Sequence, residues 1–239
     1  MKKWFVLCLV LLGAAACLYL SHVPDAGRIH IYSQGDEKWL LVAYGPEGSG
    51  KTLNEQGCGV FALAHAAQWL GLEEKDERET LPVSMAGIFC PEGSGYYTNE
   101  GMDVCTRYFW HTAYRGRGVV SGWSSERNLS LKQVLRRGGV AVLHIKSPSS
   151  GHWVLAAALS PDGSKVLVID SCVNVIDEAG LNAYTYEKKT KSFVPVEDWS
   201  RLSGNGQLRG GAAYWLDYEA AAKRHSGQNY IMPERKVFP

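Results

Sequence analysis

Three stretches of the 239-residue sequence combine residue types and spacings that can do chemistry. The first is Gly57-Cys58-Gly59, which opens the apolar run Val60 to Leu70. A cysteine at the start of a helix meets the unpaired N–H groups and the positive end of the helix dipole, which stabilise an anion and suit a thiol nucleophile. Glycines on both sides let a substrate backbone approach closely. The bland alternative for a lone cysteine in such a run is a buried structural thiol.

The second stretch supplies a base. Trp153 to Leu159 and Lys165 to Ile169 are short apolar runs joined by Ser160-Pro161-Asp162-Gly163-Ser164. Pro in the second position and Gly in a left-handed position fit a type I turn inside a three-residue hairpin loop with a bulge. If Ser160 faces Ser164, His152 lies opposite Cys172 and Val154 opposite Asp170. Residues two apart on a strand share a face, so His152 and Asp170 become diagonal neighbours within reach of an imidazole–carboxylate hydrogen bond. A two-residue loop would put them on opposite faces.

The third stretch is a rival. Gly45-Pro46-Glu47-Gly48-Ser49-Gly50-Lys51-Thr52 matches G-x-x-x-x-G-K-[ST], and Val166 to Asp170 resembles the strand whose Asp helps to hold Mg²⁺. A phosphate-cradling loop must run straight into a helix whose N–H groups face the anion. Here Gly57 and Gly59 fall where that helix should be, so a Gly-rich turn is the competing reading.

The elements that position these residues follow from periodicity and punctuation. Ile29 to Tyr32 reads as a short strand and Lys38 to Tyr44 as a second apolar stretch. Val60 to Leu70 is apolar nearly all round, the mark of a helix buried inside a domain. Thr80 caps a helix over Leu81 to Phe89, Met102 to Tyr114 and Ser130 to Arg137 are further helices, and Glu73 to Glu79 is a solvated connection. Val140 to Ile145, Trp153 to Leu159, Lys165 to Ile169 and Gly211 to Tyr218 read as strands, with a loose surface tail after Ala222. Aromatics at Tyr96, Tyr97, Tyr108, Phe109 and Trp110 line either a cleft or the core.

Composition narrows the class. With 46% apolar and 21% charged residues the chain has material for a core, and 26 Gly with 8 Trp suit a loop-rich α+β domain. Lys plus Arg number 25 against 24 Asp plus Glu, so the basic surplus of a nucleic-acid binder is missing. Residues 1–27 read as a signal peptide or membrane anchor. Lys2 and Lys3 precede an apolar run to Leu20, and Gly13-Ala14-Ala15-Ala16 offers a cleavage site. Lipid attachment at Cys17 and an uncleaved span are the alternatives, the run reaching the lower end of the roughly 17 to 25 residues a helix needs. Residues 28–239 then form the exported domain. There Cys90 and Cys105 are either bridged or two separate thiols, and the chain offers no C-x-x-C pair for zinc.

Taken together, Ser33-Gln34-Gly35-Asp36 with Trp39, Tyr44-Gly45, Thr52 to Gly59 before an Ala-rich helix, and Gly151-His152-Trp153 with a hairpin ending in Asp170 resemble bacteriocin-processing (double-glycine) cysteine peptidases of the papain-like superfamily. The resemblance implies an α+β papain-like fold, a buried helix carrying the nucleophile and packed on an antiparallel sheet. It implies Cys58 as nucleophile, His152 as base, Asp170 as the residue orienting it and Gln34 as oxyanion donor, with Gln56 as the second candidate. No cofactor or metal is called for. The expected partner is a peptide or cell-envelope substrate, and the expected place is outside the cytoplasmic membrane, free or attached to it. A catalytically silent envelope binding module is the alternative from another class.

Overall fold

The computed structural model describes residues 23–45, 48–73, 81–89, 119–121, 128–199, 202 and 210–234. The export segment up to residue 22, the Thr80 cap, the helix expected over Met102 to Tyr114, the Tyr96 to Trp110 aromatics, and Cys90 and Cys105 lie outside the described residues. A 3-10 turn at Glu37–Leu41 is followed by α1 (Leu53–Gln56), α2 (Cys58–Trp69), α3 (Leu81–Phe89), β1 (Val119–Ser121), α4 (Leu131–Arg136), β2 (Val140–Lys146) and β3 (Gly151–Leu159). Then come β4 (Lys165–Asp170), α5 (Asn174–Glu178), β5 (Ala183–Glu187), β6 (Ser192–Pro195), β7 (Ala212–Asp217), α6 (Tyr218–Ala222) and β8 (Tyr230–Pro233).

Among the described residues the strands form one antiparallel sheet of eight, in the order β1-β8-β2-β3-β4-β7-β5-β6. The class is α+β. Strands β2, β3 and β4 are almost unbroken apolar runs because the sheet is covered on both sides. One face, with Val142, Trp153, Leu155 and Ile169, packs against Val60, Leu63, Ala64 and Ala67 of α2. The other, with Leu143, Val154, Ala156, Val166 and Val168, packs against Leu131 and Val134 of α4, Ile176 of α5 and Ala221 of α6. Each fully buried Val or Leu contributes about 1.5–3 kcal/mol. Helix α4 begins on a capping box: Gln133 N donates to Ser130 Oγ at 3.3 Å and Ser130 N to Gln133 Oε1 at 2.9 Å.

Two expectations need correction. Ile29 to Tyr32 joins no strand ladder among the described residues; side chains of α2 take the place of a neighbouring strand. Gln68 accepts from His30 N at 2.8 Å and donates to His30 O at 3.1 Å, while His65 Nε2 accepts from Tyr32 N at 3.0 Å. Complete burial, only partly opposed by the Asp170 charge, lowers the pKa of His65 to about 3 and keeps it a neutral acceptor. The tail after Ala222 is also not loose. Tyr230 and Ile231 are fully buried, and β8 lies between β1 and β2.

Candidate active site

Helix α2 starts at Cys58 because Gly57 ends the single turn of α1 and turns the chain. A Cβ at Gly57 would sit 2.4 Å from Leu53 O and 3.0 Å from the Phe61 ring. Close packing of two helical turns, rather than access for a substrate, therefore requires that glycine. Cys58 itself is half-buried at the helix N-terminus.

The hairpin that carries the other two residues is built differently from the expectation, yet reaches the same result. Ser160 faces Lys165, not Ser164: Ser160 N donates to Lys165 O at 2.9 Å, and Leu159 pairs with Val166. The loop thus holds four residues, stiffened by Asp162, which accepts from Ser160 Oγ at 2.6 Å and Ser164 N at 3.0 Å. Gly163 adopts the expected left-handed φ of 71°. Carried unchanged along the strands, this register would bring Leu155 opposite Asp170 and leave His152 on the wrong face. A β-bulge at Ala157 prevents that. Ala158 pairs with Leu167, but Ala156 pairs with Val168 and Leu155 with Ile169. The extra residue restores parity, so His152 and Asp170 share a face.

Their side chains meet there. His152 Nε2 lies 2.6 Å from Asp170 Oδ1, with both residues buried at 3% and 0% exposure. The carboxylate is fully engaged. Oδ1 also accepts from Cys172 N at 2.7 Å, and Oδ2 accepts from Tyr214 Oη at 2.9 Å. Burial, then the Asp170 charge and hydrogen bond, raise the Tyr214 pKa well above its ordinary value, so Tyr214 stays a donor. For His152, burial is the largest influence and pulls the pKa down. The Asp170 charge and hydrogen bond, with a hydrogen bond and charge from Cys58, together outweigh it and raise the pKa to about 10. With Nε2 committed to Asp170, the other ring nitrogen, Nδ1, is left for the thiol.

Cys58 arrives from the opposite layer of the sheet, past the first residue of β3. A cavity of about 170 Å³ opens at this point, with Gln56, Cys58, Gly59, His144, Gly151 and Trp153 among its walls. The His144 ring lies close over Gly151, where a Cβ would sit 2.6 Å from His144 Nε2 and oblige that ring to shift. The His144 ring stacks on Trp153 at 4.3 Å between centroids. Burial, with the charges of Lys146 and His152, lowers the His144 pKa.

Gln34 is not on that wall. It is buried, its Nε2 donates to Asn54 O at 3.0 Å, and its backbone N donates to Ser171 O at 2.8 Å. It ties α1 to the segment after β4, whereas Gln56 faces the cavity beside Cys58. Cys172 lies buried just beyond β4, and neither it nor Cys58 is in a disulfide. Tyr214 and His144 went unmarked in the sequence. Tyr214 sits in a strand far along the chain, and only the β4–β7 pairing brings it to Asp170.

The Gly45 to Thr52 loop has a different character. It folds back on itself, Tyr44 N donating to Lys51 O at 2.9 Å and Ala43 bridging Thr52. A turn of helix does begin directly after Thr52, contrary to expectation, but α1 stops at Gly57 after four residues. Lys51 Nζ pairs with Glu55 at 3.2 Å on the surface. Asp170, the carboxylate that a Mg²⁺ would need, is enclosed by protein donors.

Among known proteins, no family model, no curated protein and no solved structure matches the chain. Among the described residues no helix is long and apolar enough to cross a membrane.

Proposed function

We propose that the chain is an exported cysteine peptidase or amidase of papain-like fold that hydrolyses peptide-type bonds through Cys58, His152 and Asp170. The observation that carries this reading is the buried His152–Asp170 pair, whose imidazole is influenced by Cys58 at a helix N-terminus that opens onto a cavity. Burying a carboxylate and an imidazole costs several kcal/mol unless they are paired. A protein that needed only packing would be served better by apolar side chains there.

In this reading Cys58 Sγ attacks a peptide or amide carbonyl and His152 holds the thiol proton on Nδ1. His152 delivers that proton to the leaving amine and then activates the water that releases the acyl group. Asp170 keeps Nε2–H in place, and Tyr214 with Cys172 N–H keeps the carboxylate in place. The oxyanion is stabilised by the Cys58 N–H together with a side-chain amide. Gln56 stands on the cavity wall, and Gln34 is the amide that the family resemblance implies. Alanine at each separates them: removing the true donor costs about 10²–10³-fold in kcat, and removing the other leaves kcat near wild type.

The test is to incubate the full chain with an acetylated peptide panel and purified cell wall, and to read new termini by mass spectrometry beside Cys58→Ala. Products from the wild type alone support the reading. Products formed equally by Cys58→Ala, or by neither protein, reject it.

A further inference from the structure

A second cavity, about 510 Å³, adjoins the one at Cys58, and His144 and Trp153 line both. Lys146 and Lys223 stand exposed at its edge and Arg224 is half-buried; no Asp or Glu is among its walls. Among the described residues none of these three cations forms a salt bridge. Such a cavity attracts an anion.

Its inner wall narrows the choice. Asn229 is 1% exposed, and its Oδ1 has no hydrogen-bond donor. His225 bonds the Leu129 carbonyl through Nε2, so that nitrogen carries the proton and Nδ1 is an acceptor, also buried without a donor. Buried acceptors are ordinarily satisfied. An anion with no donor of its own leaves both unmet, whereas a peptide carboxylate with its neighbouring amide N–H meets the cations and the Asn229 acceptor at once. The volume falls in the range of small-ligand sites.

We propose that this cavity binds a carboxylate-bearing residue of the peptide substrate, held by Lys146, Lys223 and Arg224 at the carboxylate and by Asn229 Oδ1 at the N–H. The carboxylate is either a C-terminal one or an acidic side chain. Because the stacked His144 and Trp153 wall both cavities, the bound residue lies next to the bond presented to Cys58. That the bound peptide is a substrate, and that its residue lies next to the bond presented to Cys58, rest on the peptidase reading; the binding itself does not.

Calorimetric titration of full-chain Cys58→Ala tests the site without turnover. Three peptides are used: acetyl-Ala-Ala-Ala with a free carboxylate, the same peptide as its C-terminal amide, and acetyl-Ala-Glu-Ala-amide. One or both acids should bind about tenfold more tightly than the uncharged amide, and the stronger acid identifies the source. A Lys223→Ala/Arg224→Ala double substitution, at exposed and half-buried positions, should abolish the preference. Equal binding of all three peptides, no binding, or a preference that survives the double substitution would overturn the proposal. Preferential binding without hydrolysis by the wild type rejects the peptidase reading alone, and hydrolysis without preference rejects this site alone.

Discussion

The Gly45 to Thr52 loop and the paired ends of β3 and β4 hold their charges in opposite ways. In the loop, Lys51 and Glu55 meet in solvent, where an ion pair contributes about 0–1 kcal/mol and Lys51 can leave at little cost. At the strand ends, Asp170 is removed from water altogether and receives a donor from β3, one from β7 and one from its own backbone turn. Letter for letter the loop is the better motif. The difference teaches that a site is marked by what its environment costs, and only the strand ends carry a cost that chemistry explains.

The strongest way to break this contrast is Asp170→Ala. It leaves His152, Tyr214 Oη and Cys172 N–H buried without their acceptor, so denaturant unfolding should show a loss of about 3–5 kcal/mol. A loss under 1 kcal/mol would place Asp170 on the same footing as Lys51.

The pH dependence of stability sharpens the contrast next. His152 has a folded pKa of about 10 against an ordinary 6.5, so the folded state holds a proton that the unfolded state has released between those values. The stabilisation is complete below pH 6.5 and is lost as pH rises toward 10. Wild-type stability should therefore decline across that window more steeply than that of His152→Gln. Parallel curves would deny the imidazolium.

Tyr214→Phe removes one donor and keeps the ring. The expected loss is about 1.5–3 kcal/mol, the range for a hydrogen bond to a charged group, again read by denaturant unfolding. An unchanged midpoint would mean that the third side of the carboxylate is dispensable. Lys51→Ala has the smallest expected effect, under about 1 kcal/mol, and ATP with Mg²⁺ should leave the Tm of the wild type unmoved. A shift of several degrees would restore the nucleotide reading.

Much of this arrangement was legible in advance, though not always for the right reason. The strands of the central hairpin and helix α2 were visible because long apolar runs leave few alternatives. The facing of His152 and Asp170 was anticipated from a three-residue loop, whereas a four-residue loop and the Ala157 bulge produce it together. Two offsets cancelled. A bulge within Ala156-Ala157-Ala158 carries no local signal, because the three residues are chemically identical. Strands β1, β5 and β6 were missed: β1 is three residues long, β5 mixes charged, polar and aromatic residues, and β6 is four residues at the sheet edge. Strand β8 was missed because its apolar run, Tyr230-Ile231-Met232, is too short to stand out beside the charged end of the chain. Gln34 was singled out from its sequence neighbours, and those cannot show that Asn54 O would take its amide.

The central claim is that His152 and Asp170 activate Cys58, and its most direct test is the alkylation of Cys58 by iodoacetamide at pH 7, followed by peptide mass spectrometry. Wild-type Cys58 should label faster than in His152→Ala and in Asp170→Asn by about tenfold or more, with buried Cys172 lagging in all three. Equal rates at Cys58 across the three proteins would contradict the account.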